Sequence, residues 1–130
     1  MKSVLLLIGL LFWTSVAIGQ ESVCDLLAAS SLDPQKTTPG ISYEKLNPAQ
    51  AIPACKQAVE MSPRVGRLWF QYGRALEKAN KLPDAIQAYQ EAAKLNSGAA
   101  YNNIGELYRD GKGFQKDLKK AEIKIGRAHV

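Results

Sequence analysis

At 130 residues, 46% hydrophobic and 22% charged, the chain has room for one modest folded domain and is not a disordered tail. Its formal net charge of +5 falls to +4 once Lys2 is set aside, and no basic block is longer than Lys119-Lys120. A nucleic-acid binder would carry a clustered basic face with stacking aromatics, so this pattern reads instead as a solvated surface of mild positive bias.

The first segment, "MKSVLLLIGLLFWTSVAIGQ", has one positive residue, an apolar run from Val4 to Trp13, and then small residues. The run is too short for a stable membrane span. Ala17 and Gly19 occupy the −3 and −1 positions of a cleavage site before Gln20, which predicts a signal peptide over residues 1–19. The other reading is a retained membrane anchor. Val23 before Cys24 argues against a lipoprotein. Export follows, to the periplasm or the extracellular side, with no stable membrane insertion after cleavage.

Residues 20–47 form an N-terminal segment containing Cys24, and Cys55 lies just beyond it. In an oxidising compartment two cysteines allow one intramolecular bridge. Closing that loop of about 32 residues contributes roughly 3.7 kcal/mol through the unfolded state. The alternative is a buried thiol at Cys55 with Cys24 free. No other Cys or His lies at ligand spacing, so no metal site is expected.

A repeat follows. "AIPACKQAVEMSP" from Ala51 and "AIQAYQEAAKLNS" from Ala85 align at a shift of 34, pairing Ala51 with Ala85, Ile52 with Ile86, Ala54 with Ala88 and Ala58 with Ala92. Apolar and small residues at i, i+3, i+4 and i+7 predict helices. Asn47-Pro48 and Pro83-Asp84 open them, and Asn96-Ser97-Gly98 closes the second. Between the two copies, "RVGRLWFQYGRALEKANK" predicts a helix with Trp69, Tyr72, Gly73 and Leu76 on one face, repeated after Gly98 as Tyr101, Ile104, Gly105 and Tyr108. Glycine inside a helix costs about 1 kcal/mol against Ala, which close approach of a partner helix would justify.

The stretch "LWFQYGRALEKANKLPDAIQAYQEAAKLNS" resembles a tetratricopeptide repeat through Trp69, Tyr72-Gly73, Ala85, Tyr89 and Ala92. "AAYNNIGELYRDGKGFQKDLKKAEI" is similar to the related Sel-one-like repeat through Tyr108, Gly111, Gly113, Phe114, Asp117 and Lys120-Ala121. Its longer inter-helix loop holds two glycines suited to left-handed turns. The resemblance implies an all-α fold, a right-handed α/α superhelical solenoid of helix pairs. It divides the chain into a half repeat (second helix only) over 48–63, a tetratricopeptide-like repeat over 64–97 and a truncated Sel-one-like repeat over 98–124. The opening "CDLLAAS" and the later "AIPAC" resemble the segment that precedes Sel-one-like arrays in some exported bacterial proteins, where these two cysteines are framed alike. That likeness supports the disulfide Cys24–Cys55.

The tail departs from this pattern. After "KDLKKAEI" a second helix should continue, whereas "KIGRAHV" offers a Gly, a β-branched end and no apolar stripe. Ile125 to Val130 is identical to one translated frame of a common sequencing-library adapter, so 125–130 are expected to be adapter read-through and the native chain to continue past about Ile123. A helix ending there would leave Ile104, Leu107 and Tyr108 partly uncovered.

With His129 set aside, no Ser-His-Asp or Cys-His arrangement can be assembled. "DGKGFQKD" lacks the strand and the Gly-Lys-Ser/Thr ending of a phosphate loop. No catalytic residue and no cofactor are expected. The resemblance places groove positions at Arg67, Phe70, Arg74 and Glu77 in the first unit, and at Asn102, Glu106 and Arg109 in the second. Its exposed aromatic and two arginines would hold a carboxylate or an acidic peptide. The implied function is a non-catalytic scaffold or adaptor of the bacterial envelope that binds a protein or peptide in this groove. The alternative is the N-terminal docking arm of an enzyme, a hydrolase or caspase-like protease, whose catalytic domain is expected to lie in a C-terminal part missing from this fragment. Glycan binding would need aromatic platforms, and only Phe70 offers one. The oligomeric state is left open.

Overall fold

The computed structural model describes residues 21–129, so the signal-peptide segment 1–19 lies outside the described residues. Six helices follow one another: α1 Val23–Ala28, α2 Pro48–Met61, α3 Gly66–Lys78, α4 Leu82–Lys94, α5 Gly98–Asp110 and α6 Leu118–Ala128. The described residues contain no strand. From α2 onward each helix packs on its neighbour in the chain, and α1 packs on both α2 and α3.

The helix ends follow local chemistry. Asn47 Oδ1 accepts the Ala49 amide at 3.1 Å, with Pro48 in the first turn. Ser97 caps α5 through Ala100, and Asp117 caps α6 through Lys120. At the other ends α3, α4 and α5 close in the same way. A left-handed residue follows each helix (Asn80, Asn96 and Gly111), and the next amide turns back to Leu76, Ala92 and Leu107. Gly111 and Gly113, at φ +67° and +68°, take the left-handed turns expected of the inter-helix loop. Phe114 from that loop stacks on Tyr108 at 4.1 Å.

Gly73 leaves room for a side chain of the neighbouring helix. A Cβ there would sit 2.5 Å from the Tyr89 ring, so the close approach is to a ring from α4 and not to its backbone. Tyr89 is fully buried and packs on Phe70 with centroids 5.9 Å apart. The core runs from Cys24, Ala51, Cys55 and Leu68 at one end to Ile86, Ala100, Ile104 and Leu107 at the other.

Two expectations about the tail are corrected. The helix does not stop after Ile123 but runs to Ala128, because Ala121, Ile125 and Ala128 recur at helical spacing toward α5. Ile125 lies over Gly105, and the Ala128 carbonyl lies against Gly98. Ile104 and Leu107 are accordingly 3% and 2% exposed and not uncovered, whereas Tyr108, stacked on Phe114, stays partly uncovered as expected.

Candidate ligand hollow beside the N-terminal arm

Residues 22–46 form an arm laid along one face of α3. Cys24 is bonded to Cys55, which ties α1 to α2. Ser22 and Asp25 make a reciprocal capping box at the start of α1. From there the arm follows the line Arg67, Gln71, Arg74 and Lys78, which helical spacing places on one face of α3. Arg67 donates to both Asp25 oxygens at 3.0 and 3.2 Å, and Gln71 Nε2 donates to Oδ1 at 2.9 Å. Arg74 donates to the carbonyls of Ala28 and Ile41 at 2.6 and 3.2 Å. Lys78 lies 4.8 Å from the Tyr43 ring centroid and reaches the Glu44 carbonyl at 3.4 Å.

Electrostatics follow from this burial. Desolvation raises the Asp25 carboxyl, but hydrogen bonds from Arg67, Gln71 and Ser22 outweigh it and bring the pKa from 3.8 to about 2. Burial pushes Asp33 up, against the Gln35 amide and the charges of Lys36, Arg67 and Arg74. Burial lowers Arg74 despite its anionic and phenolic neighbours. Tyr89 is held well above its ordinary value, first by burial and then by the charge of Glu77.

These contacts relocate most of the expected groove. Arg74 is 4% exposed and gives both terminal nitrogens to the arm, and Nε and Nη2 of Arg67 are held by Asp25, so the arm covers the line on which an open pair of arginines was expected. Phe70 is not an exposed platform. It is 2% exposed, since it packs against Tyr89. Glu77 accepts the Tyr89 hydroxyl at 2.6 Å, and Asn103 donates to the same oxygen at 3.0 Å, a chain linking α3, α4 and α5. On α5, the exposed Arg109 donates to both oxygens of the half-buried Glu106 at 2.8 and 2.6 Å. Of the expected groove residues, Asn102 and Phe70 line the same hollow.

That hollow has a volume of about 380 Å³. It is lined by Ser30 and Leu32 to Pro34 of the arm, Phe70 of α3, Asn102 and Asn103 of α5, and Ala128 and His129 at the end of α6. A second hollow of about 510 Å³ shares Pro34, Gly98 and Ala128 with it and adds Gln35, Tyr101 and Arg127. Asp33 belongs to the first hollow and is 1% exposed. Its Oδ1 accepts the Gln35 amide at 2.9 Å, while Oδ2 has no hydrogen-bond partner among the described residues. Repeat spacing could not identify Asp33, because it lies in the arm, outside the periodic part. No cluster of potential metal ligands occurs among the described residues.

Comparison with known proteins gives one match. The tetratricopeptide repeat family model matches residues 43–100, from the end of the arm through α4 and into α5. No curated protein and no solved structure matches the chain. This part of the chain is therefore similar to tetratricopeptide repeats, and the all-helical order of elements agrees with helical repeats of that kind.

Proposed function

We propose that the protein is a non-catalytic scaffold that recognises another protein in the cell envelope, using the α5 side of the arm as its contact surface. The tetratricopeptide match over 43–100 supports an interaction role, because repeats of this type commonly bind protein or peptide partners. On this reading α2 to α6 are the beginning of a right-handed α/α superhelical solenoid. The α5–α6 pair, with its glycine loop, is its Sel-one-like member. The Cys24–Cys55 bond favours an oxidising compartment and hence export. No described helix is long and apolar enough to cross a membrane.

The observation that carries the proposal is the hollow between Ser30–Pro34 and Asn102–Asn103, which lies where the groove of the first unit, filled by the arm, gives way to the open face of α5. A photo-crosslinking residue at exposed Asn102 tests it in the producing cell. A discrete adduct at Asn102, missing when the same residue replaces exposed Lys56 on α2, is the expected result. Equal adducts at both sites, or none at Asn102, overturns it.

A further inference from the structure

Asp33 is the least satisfied charged group in the described chain. It is buried, it lines a hollow, and one of its two oxygens lacks a donor. A desolvated carboxylate oxygen without a partner is costly, so structures rarely leave one unused.

The nearby cations are committed elsewhere. Arg67 is bound to Asp25. Arg74 points its nitrogens at the carbonyls of Ala28 and Ile41. Lys36 reaches the main-chain oxygen of Asp33, at 3.5 Å, and not its carboxylate. Also lining the hollow, Asn103 gives its amide nitrogen to Tyr89 at 3.0 Å, which leaves its side-chain oxygen as the end that offers an acceptor. Asp33 Oδ2 and the Asn103 side-chain oxygen thus bring two acceptors without a described donor to the lining of the hollow.

We propose that this hollow binds a cationic side chain of a peptide, an ammonium or guanidinium group, with Asp33 as its charged acceptor and Asn102 and Asn103 in the same lining. The volume of about 380 Å³ falls within the range of roughly 300–1,000 Å³ typical of ligand pockets. Burial raises the Asp33 carboxyl, and an arriving cation offsets that penalty. The proposal rests on the interaction role above and makes it specific: the recognised segment is basic, not acidic.

The test is a titration of the isotopically labelled, disulfide-bonded full chain with acetyl-Gly-Lys-Gly-amide, followed by chemical shifts, beside the same peptide acetylated on its lysine. Saturable shifts at Ser30, Asn102 and Asn103 are expected with the charged peptide. Affinity should fall about tenfold or more for the acetylated peptide and for Asp33→Asn. Asn at 33 keeps the oxygen that accepts the Gln35 amide, so the turn survives while the charge is lost. Asn102→Lys, an exposed change on α5, sets a competing cation in the lining and should abolish binding. Equal binding of the acetylated peptide, an unchanged Asp33→Asn titration, or no shifts at these residues overturns the proposal. If the Asn102 photo-adduct forms in a chain that fails this titration, the cation site is refuted and the interaction role stands. Loss of that adduct alone refutes the interaction role.

Discussion

Arg67 on α3 meets Asp25 on α1 through two hydrogen bonds of 3.0 and 3.2 Å, across 42 residues of chain. Asp25 is fully buried and Arg67 largely so, which makes the pair the electrostatic fastening of the arm. Buried pairs of this kind are costly to break from one side, because the remaining partner stays desolvated.

Asp25→Asn should therefore destabilise the chain by about 3 kcal/mol, read from urea unfolding. Adding Arg67→Met to that variant should cost less than the two single changes summed, since the orphaned guanidinium is removed with its partner. Strict additivity would show that the two side chains do not act together.

The same carboxyl sets an acid limit. Its folded pKa of about 2 lies below the ordinary 3.8, so its contribution is complete above pH 3.8 and is lost as pH falls through 2. That contribution amounts to about 2 kcal/mol. Thermal midpoints should drop between pH 4 and pH 2 in the native chain and much less in Asp25→Asn. Asp33, raised by burial, acts with the opposite sign: its contribution is present below 3.8 and fades as pH rises through its folded value. Asp33→Asn should therefore leave the acid drop in place.

Much of the helical part was legible from residue spacing. The shift of 34 located α2 and α4, and the Trp69-Tyr72-Gly73 face located α3 and its counterpart α5. The glycine loop was readable because left-handed turns favour glycine. Asn80 was a readable stop signal of the same kind, an Asn directly after a helix, but its neighbours Lys78 and Lys81 make it look like plain polar surface. The occupant of the α3 face was illegible. Arg67 and Arg74 stand at groove spacing whether a ligand or the arm covers them, and their partners are dozens of residues away. The Ser22-x-x-Asp25 capping box could have revealed α1. With Cys24 tied to Cys55, it would then have drawn Asp25 toward the core.

Opening the disulfide removes the covalent tie between α1 and α2. Reduction, or Cys24→Ala with Cys55→Ala, should lower stability by about 2–5 kcal/mol. Hydrogen exchange should rise first in residues 22–46, ahead of α4 and α5, because the arm then depends on its α3 contacts alone. Uniform acceleration along the chain would contradict a separately docked arm.

Gly73→Ala pits helix propensity against space. Alanine gains about 1 kcal/mol in a helix interior, but its methyl would lie 2.5 Å from the Tyr89 ring. Displacing that ring disturbs its hydrogen bonds with Glu77 and Asn103. A net loss of about 1–3 kcal/mol is expected from unfolding curves. Gly126→Ala on α6 meets nothing within 4 Å and should be neutral or slightly stabilising.

The bond between Cys24 and Cys55 encloses the whole exposed stretch around Lys36 and Lys45 within one covalent ring. A protease that cuts after either lysine opens the ring without releasing a fragment. The clipped molecule gains one water in mass and still runs as a single species on a non-reducing gel, while its α1 piece stays anchored against α2. Two bands emerge only when a reductant is added.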